Sequence, residues 1–368
     1  MSPRLSRSQV LMIGCAFVLD GTLISKPSLV IRDLQSDFWL AYLIALAYGL
    51  AAIVAVGLLA SRFPRKDLMD GLVSSYPILG RVIAAGYVLF FFGILVRDIR
   101  SSSDFVKVSL LAITPLTAIA VCLGLCLIAI ARHGKTSVGR MSQLWQPLLV
   151  LLVLGIPMFL ASSLVIGNLL PVFQHPLPDV VYGASHIVAY TGEAIGIAFI
   201  ATSRTWTFRY GIYSVLLGWT LLTILTFCLA LSLGVEIPAR TMYPNYEMIR
   251  KIRLTDFLDR LDLPMVGIWL PAMIVKASFS LYIAANGVAR IFPKLRLSAI
   301  SVVLGVAAVA VAILAFENAL QIFTFDQFWM PVSVVFQLAL PVALLCLCFL
   351  RQRKKPPVRA AEVNQDDV

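Results

Sequence analysis

Long apolar runs, broken by short charged stretches or by Gly and Pro, set the pattern of this chain. Such runs cover residues 8–31, 38–60, 78–96, 114–131 and 141–164 in the first half. In the second half they cover 182–202, 210–234, 264–289, 297–316 and 328–350. Each approaches the roughly 20 residues that a helix needs to cross the hydrocarbon of a bilayer. The pattern predicts an all-α integral membrane protein of about ten transmembrane helices. It fills a single domain over 1–350, arranged as two five-helix halves at about 8–164 and 182–350. Residues 351–368 form a basic, polar, Pro-containing tail with the composition of a disordered segment. The apolar stretch 10–14 is too short for the core of a signal peptide, so the start reads as the first span.

Composition agrees. Of 368 residues 60% are hydrophobic and 13% charged, with a mean hydropathy of +0.91, which excludes a large soluble catalytic domain. The net charge of +11 does not point to nucleic acid, because Lys and Arg sit in small clusters between apolar runs rather than on one face. By the positive-inside rule, the clusters Arg4/Arg7, Arg62/Arg65/Lys66, Arg132/Lys135/Arg140, Arg204/Arg209, Arg290/Lys294/Arg296 and Arg351 to Arg359 place both termini in the cytoplasm. Most acids, Asp33, Asp37, Asp98 and Asp104 among them, then fall in outer loops. The long outer segment 235–262 contains Asp256-Phe257-Leu258-Asp259-Arg260-Leu261, whose apolar spacing predicts a short amphipathic helix that lies over the bundle or docks a partner.

No Walker sequence, metalloprotease motif or nucleophile elbow is present, the three His are scattered, and the six Cys lie in apolar runs. No enzyme, cofactor or metal is expected. The chemistry-bearing residues are polar groups inside spans, where a charge costs about 2.5–3.5 kcal/mol at mid-bilayer on insertion scales unless it finds a partner or a cavity. In the first span, residues 19–27 hold Asp20, Gly21, Thr22, Lys26 and Pro27; in the sixth, residues 190–196 hold Tyr190, Thr191, Gly192 and Glu193. Interruptions at matching positions of two halves point to an inverted-repeat transporter fold with a site at the midplane. Packing kinks are the plainer alternative. Glu193 reads as a ligand for a substrate amine, a proton carrier or half of an ion pair, with Lys276 of the eighth span as the expected counter-charge. Lys26 is expected to snorkel to the outer interface. Arg97 and Asp98 read as a local salt bridge or outer gate at the end of the third span, and Tyr87, Phe90, Phe91 and Ile94 as one apolar stripe of it.

Several blocks resemble the B subunit of GerA-type spore germinant receptors. They include the opening 2–9, Arg62-Phe63-Pro64, Arg97-Asp98 leading to Asp104-Phe105-Val106-Lys107, and Asn168-Leu169-Leu170-Pro171-Val172. Gly192-Glu193, Tyr243-Pro244-Asn245-Tyr246-Glu247, Asp256 to Asp262, and Lys276-Ala277-Ser278 through Gly287 follow in the same order. The resemblance implies a LeuT-like 5+5 inverted repeat of the amino acid/polyamine/organocation superfamily, with helices 1 and 6 broken. It also implies a multi-pass protein of the spore inner membrane that binds a small germinant such as an amino acid. Signalling would then pass through an A subunit and a lipoprotein C subunit. Carried onto this chain, the pocket comprises Asp20, Gly21, Thr22, Phe90, Ile94, Tyr190, Thr191, Gly192, Glu193, Lys276 and Ser280. Where the family usually has Gly this chain has Asp20, and Lys26 replaces an apolar residue. The extra carboxylate favours a cationic nutrient, repels a ligand carboxylate or pairs with Lys276. Two rivals stand beside the receptor: a proton-coupled amino-acid or amine transporter, and a channel or interaction component without a ligand site.

Overall fold

The computed structural model describes residues 5–63, 66–200, 208–252 and 262–353. The first span is two helices, α1 (Arg7–Leu19) and α2 (Lys26–Leu34), separated by a turn at 20–25. A capping box starts α1: Ser6 Oγ accepts from Gln9 N, and the Gln9 side chain accepts from Ser6 N. Pro27 in the first turn of α2 supplies a restricted φ where no intrahelical N–H is needed. The break expected between residues 19 and 27 is therefore present, and its cause is local chemistry.

Then follow α3 (Phe38–Ser61), the short α4 (Leu68–Ser75), α5 (Leu79–Ser109), α6 (Leu116–Ala131) and α7 (Lys135–Phe159). The second half holds α8 (Leu177–Thr191), α9 (Phe208–Leu233), the short α10 (Glu236–Arg240) and α11 (Pro244–Arg250), α12 (Asp262–Ile291), α13 (Leu297–Leu314), α14 (Gln321–Val334) and α15 (Leu340–Arg353). At Gly192 α8 gives way to a 3-10 stretch, Gly192–Phe199, so the interruption of the sixth span is a change of helix type. A π-turn, Val335–Ala339, joins α14 to α15 within the tenth span. Among the described residues seven helical segments are long and apolar enough to cross a membrane, with Arg7–Leu19 and Leu116–Ala131 as shorter apolar helices. The protein is a multi-pass membrane protein.

Packing repeats between the halves. The first span lies on the seventh (α1 on α9) as the sixth lies on the second (α8 on α3). The fourth lies on the eighth (α6 on α12) as the ninth lies on the third (α13 on α5). Exchanging spans n and n+5 converts each pair into the other, as an inverted repeat requires. Two groups result: α1, α3, α8 and α9 form one, α5, α6, α12 and α13 the other.

Three expectations change. The third span does not end at Val96 but runs to Ser109, because Arg97, Asp98, Arg100 and Asp104 are all buried and pair with neighbours instead of reaching water. Asp98 and Asp104 thus lie in the bundle, not in an outer loop. Lys26 does not snorkel: it is 1% exposed, with Nζ 4.8 Å from the centre of the Tyr190 ring. The proposed helix at 256–261, Arg4, Arg65, Arg204 and the tail from 354 lie outside the described residues.

Candidate functional site

At the two interruptions four ionised side chains close into a ring. Arg97 and Asp98 come from α5, Lys276 from α12 and Glu193 from the 3-10 stretch of the sixth span. Arg97 Nη2 lies 2.9 Å from Asp98 Oδ1 and 2.7 Å from Glu193 Oε1. Lys276 Nζ lies 3.0 Å from Asp98 Oδ2 and 3.0 Å from Glu193 Oε2. Each carboxylate bridges both cations, and none of the four side chains is more than 1% exposed. The ring sums to zero charge, which is how a dry interior tolerates four ions. Glu193 alone comes from the α1–α3–α8–α9 group. It therefore forms an ionic tie between the two groups of helices.

Aromatic rings wall this cluster. The Arg97 guanidinium carbon lies 4.1 Å from the Tyr190 ring centre and 5.9 Å from that of Trp329, cation–π contacts that gain strength when desolvated. Phe90 stacks on Trp329 and on Phe336, with centroids 5.5 and 5.2 Å away. Gly21 lets Lys276 come close to the break: a Cβ there would lie 2.5 Å from Lys276 Nζ.

Asp20 stands apart from the ring. Its Oδ1 accepts from Gln146 Nε2 at 3.1 Å, its backbone carbonyl accepts from Trp269 Nε1 at 3.0 Å, and its fully buried Oδ2 has no partner. Arg97 Nη1 is likewise buried without an acceptor. Buried polar atoms of this kind, beside a broken span, are candidates for a functional role.

Of the residues chosen from sequence, the structure gathers Gly21, Tyr190, Glu193 and Lys276 at the ring, with Phe90 in the adjoining wall and Asp20 beside the break. Ile94 is buried in the same apolar cluster as Phe90 and Tyr190. Thr22, Thr191 and Ser280 direct their hydroxyls to backbone carbonyls of their own spans: Thr22 to Val18 (2.7 Å), Thr191 to Ile187 (3.0 Å), Ser280 to Lys276 (3.5 Å). Gly192 packs against Gln337 and Tyr48 of other spans. Sequence reasoning left out Arg97, Asp98, Gln146, Trp269 and Trp329. The signal for the first two was their charge, read as the end of a span; for Gln146 it was a polar residue near the start of an apolar run.

Contacts of 2.7–3.0 Å close the ring. A cavity of about 20 Å³ lies beyond Gly21, lined among others by Ser25, Ser101, Asp104, Phe105, Tyr243 and Trp269. Burial, and then the charge of Asp104, push the Tyr243 phenol up from its ordinary pKa, so it stays neutral. No group of three or more His, Cys, Asp or Glu placed to hold a metal occurs among the described residues.

A family model described as spore germination protein matches residues 4–320. The chain is 30% identical over 339 residues to the putative spore germination protein YfkT of Bacillus subtilis (strain 168), covering 92% of this chain and 94% of that one. It is 22% identical over 375 aligned positions to spore germination protein KB of the same organism, covering 98% and 99%. Among solved structures, that of MhsT in complex with L-phenylalanine superposes with a TM-score of 0.70 at 16% identity, covering 94% of this chain and 90% of that one. Mhp1, a nucleobase-cation-symport-1 family transporter in a closed conformation with bromovinylhydantoin bound, gives 0.51 at 15% identity, covering 90% and 77%. These likenesses establish the LeuT-like fold with broken helices 1 and 6. With its family match running through both interrupted spans and all four ring residues, the chain belongs to the spore germination protein family.

Proposed function

We propose that this chain is the ligand-sensing membrane subunit of a nutrient germinant receptor, non-enzymatic, which binds a small germinant at the interrupted spans and so triggers germination. One observation carries the reading: the meeting point of spans 1, 3, 6 and 8 is filled by the protein's own neutral ion ring. A resting state closed in this way needs no ligand for stability. A ligand that engages ring members competes with Glu193 and loosens the tie between the helix groups, which is an output suited to a sensor. In this reading the chain lies in the spore inner membrane with both termini in the cytoplasm. An A subunit and a lipoprotein C subunit relay the change.

The same fold also suits the rival reading, a proton-coupled amino-acid or amine transporter. The test is germination of spores lacking this gene, scanned across single amino acids, amines, sugars and nucleosides, with uptake of each responding compound into vesicles carrying this protein alone. Loss of response to one nutrient without uptake supports the receptor. Concentrative, proton-coupled uptake with normal germination overturns it.

A further inference from the structure

The cavity beyond Gly21 sets one acidic group in a lining otherwise made of aromatic, aliphatic and hydroxyl side chains. It presents one carboxylate, Asp104, three aromatic rings, Phe105, Tyr243 and Trp269, and the hydroxyls of Ser25 and Ser101, and no Lys, Arg or His is among its lining residues. The three rings form one edge-to-face set, with Phe105 centred 5.1 Å from both Tyr243 and Trp269. Arg100 holds Asp104 in place through Oδ2 at 2.8 Å, while its Nη1 is occupied by the carbonyls of Ala312 (3.2 Å) and Phe316 (2.5 Å). Asp104 Oδ1 has no hydrogen bond or ion pair among the described residues. Trp269 links this cavity to the break of the first span, since its indole N–H donates to the Asp20 carbonyl. There the fully buried Asp20 Oδ2 is a second carboxylate oxygen without a partner.

A carboxylate whose second oxygen is left over from its pair with Arg100, set among aromatic rings in a wall that itself holds no Lys, Arg or His, is an arrangement that can recognise an ammonium group. A carboxylate ligand finds the reverse. Lys276 and Arg97 are each bridged to two acids of the ring, Lys26 lies over the Tyr190 ring, and none of the three lines the cavity. Size agrees: about 20 Å³ admits one water-sized group, which is the size of a primary ammonium head. We propose that this cavity binds the protonated primary amine of a small cationic ligand, with Asp104 and the Phe105–Tyr243–Trp269 rings as its seat and Asp20 as the next acceptor inward. As a statement of what the protein senses, this rests on the receptor reading above; as a statement of what the cavity binds, it does not.

The experiment is a thermal-stability titration of the purified full chain in lipid nanodiscs with ethylammonium chloride, sodium acetate and sodium chloride at matched ionic strength. Ethylammonium is expected to raise the unfolding midpoint saturably, and acetate to match sodium chloride. Asp104→Asn is expected to weaken ethylammonium binding at least tenfold. Phe105→Leu, which leaves every charge in place, is expected to weaken it several-fold and decides the matter if Asp104→Asn does not fold. Stabilisation by acetate, an ethylammonium curve that follows sodium chloride, or undiminished binding in the folded variants overturns the proposal. The two readings fail separately. Germination lost on deletion of the gene, without ethylammonium binding, retires the amine site and keeps the receptor; binding with unchanged germination to every nutrient does the opposite.

Discussion

Replacing Glu193 by Gln removes one charge from the ring and almost none of its volume. In the parent, two cations face two carboxylates, all buried. In the variant, Arg97 and Lys276 face Asp98 alone, leaving one unit of positive charge uncompensated. Removing one partner of a buried pair costs about 3–5 kcal/mol, and a charge at mid-bilayer about 2.5–3.5 kcal/mol on insertion scales. The Gln amide oxygen still accepts one bond, so the expected loss is the lower end, about 3 kcal/mol, against a total stability of roughly 5–15 kcal/mol. Lys276→Gln leaves one unpaired negative charge and is expected to cost a similar amount. The double variant restores neutrality through Arg97 and Asp98, so its cost should fall short of the sum by about 2 kcal/mol, inside the range of coupling found for contacting residues. Equilibrium unfolding of the four proteins in detergent micelles measures this cycle. Single variants within about 0.5 kcal/mol of the parent, or costs that simply add, refute the ring as an energetic unit.

Two further substitutions test the positions around it. Gly21→Ala sets a methyl 2.5 Å from Lys276 Nζ, so the ammonium must leave its carboxylates or the break must shift; a loss of about 1–3 kcal/mol in the same unfolding assay is expected, and a neutral result shows that the break has slack. Asp37→Asn acts on the chain just before α8. Asp37 accepts from the backbone N–H of Phe173, Gln174 and His175 and pairs with the His175 ring at 3.1 Å, holding Phe173 at a φ of 61°. Hydrogen bonds to a charged group contribute about 1.5–3 kcal/mol each, so exchange of the 173–175 amides should quicken tenfold or more, and unchanged exchange refutes the clamp.

The interruptions at Asp20 and Gly192 were legible in the sequence because a carboxylate, a glycine or a proline inside an apolar run is costly wherever it stands. The partnership of Glu193 with Lys276 was also within reach, since each needs a counter-charge at similar depth. Arg97 and Asp98 were not seen as part of the same cluster. A span cut at its first charge ends at Val96, yet adjacent opposite charges neutralise each other, and α5 carries them onward for 13 residues. Lys26 was placed at an interface for a related reason: nothing in its neighbours along the chain announces the Tyr190 ring that covers it. Trp269 and Trp329 carry no signal in the sequence, because their service to Asp20 and Arg97 depends on contacts between spans far apart in the chain.

The ring also has a history in time. Arg97 and Asp98 leave the ribosome together and enter the bilayer as a self-neutral pair. Glu193 arrives later and can tie to Arg97, but Lys276 is still about 80 residues from being made, several seconds or more at roughly 5–20 residues per second. During that interval the nascent chain holds two acids against one base in lipid. The second half thus opens an electrical imbalance at Glu193 and closes it at Lys276, adding its own neutral pair to the neutral pair of the first half.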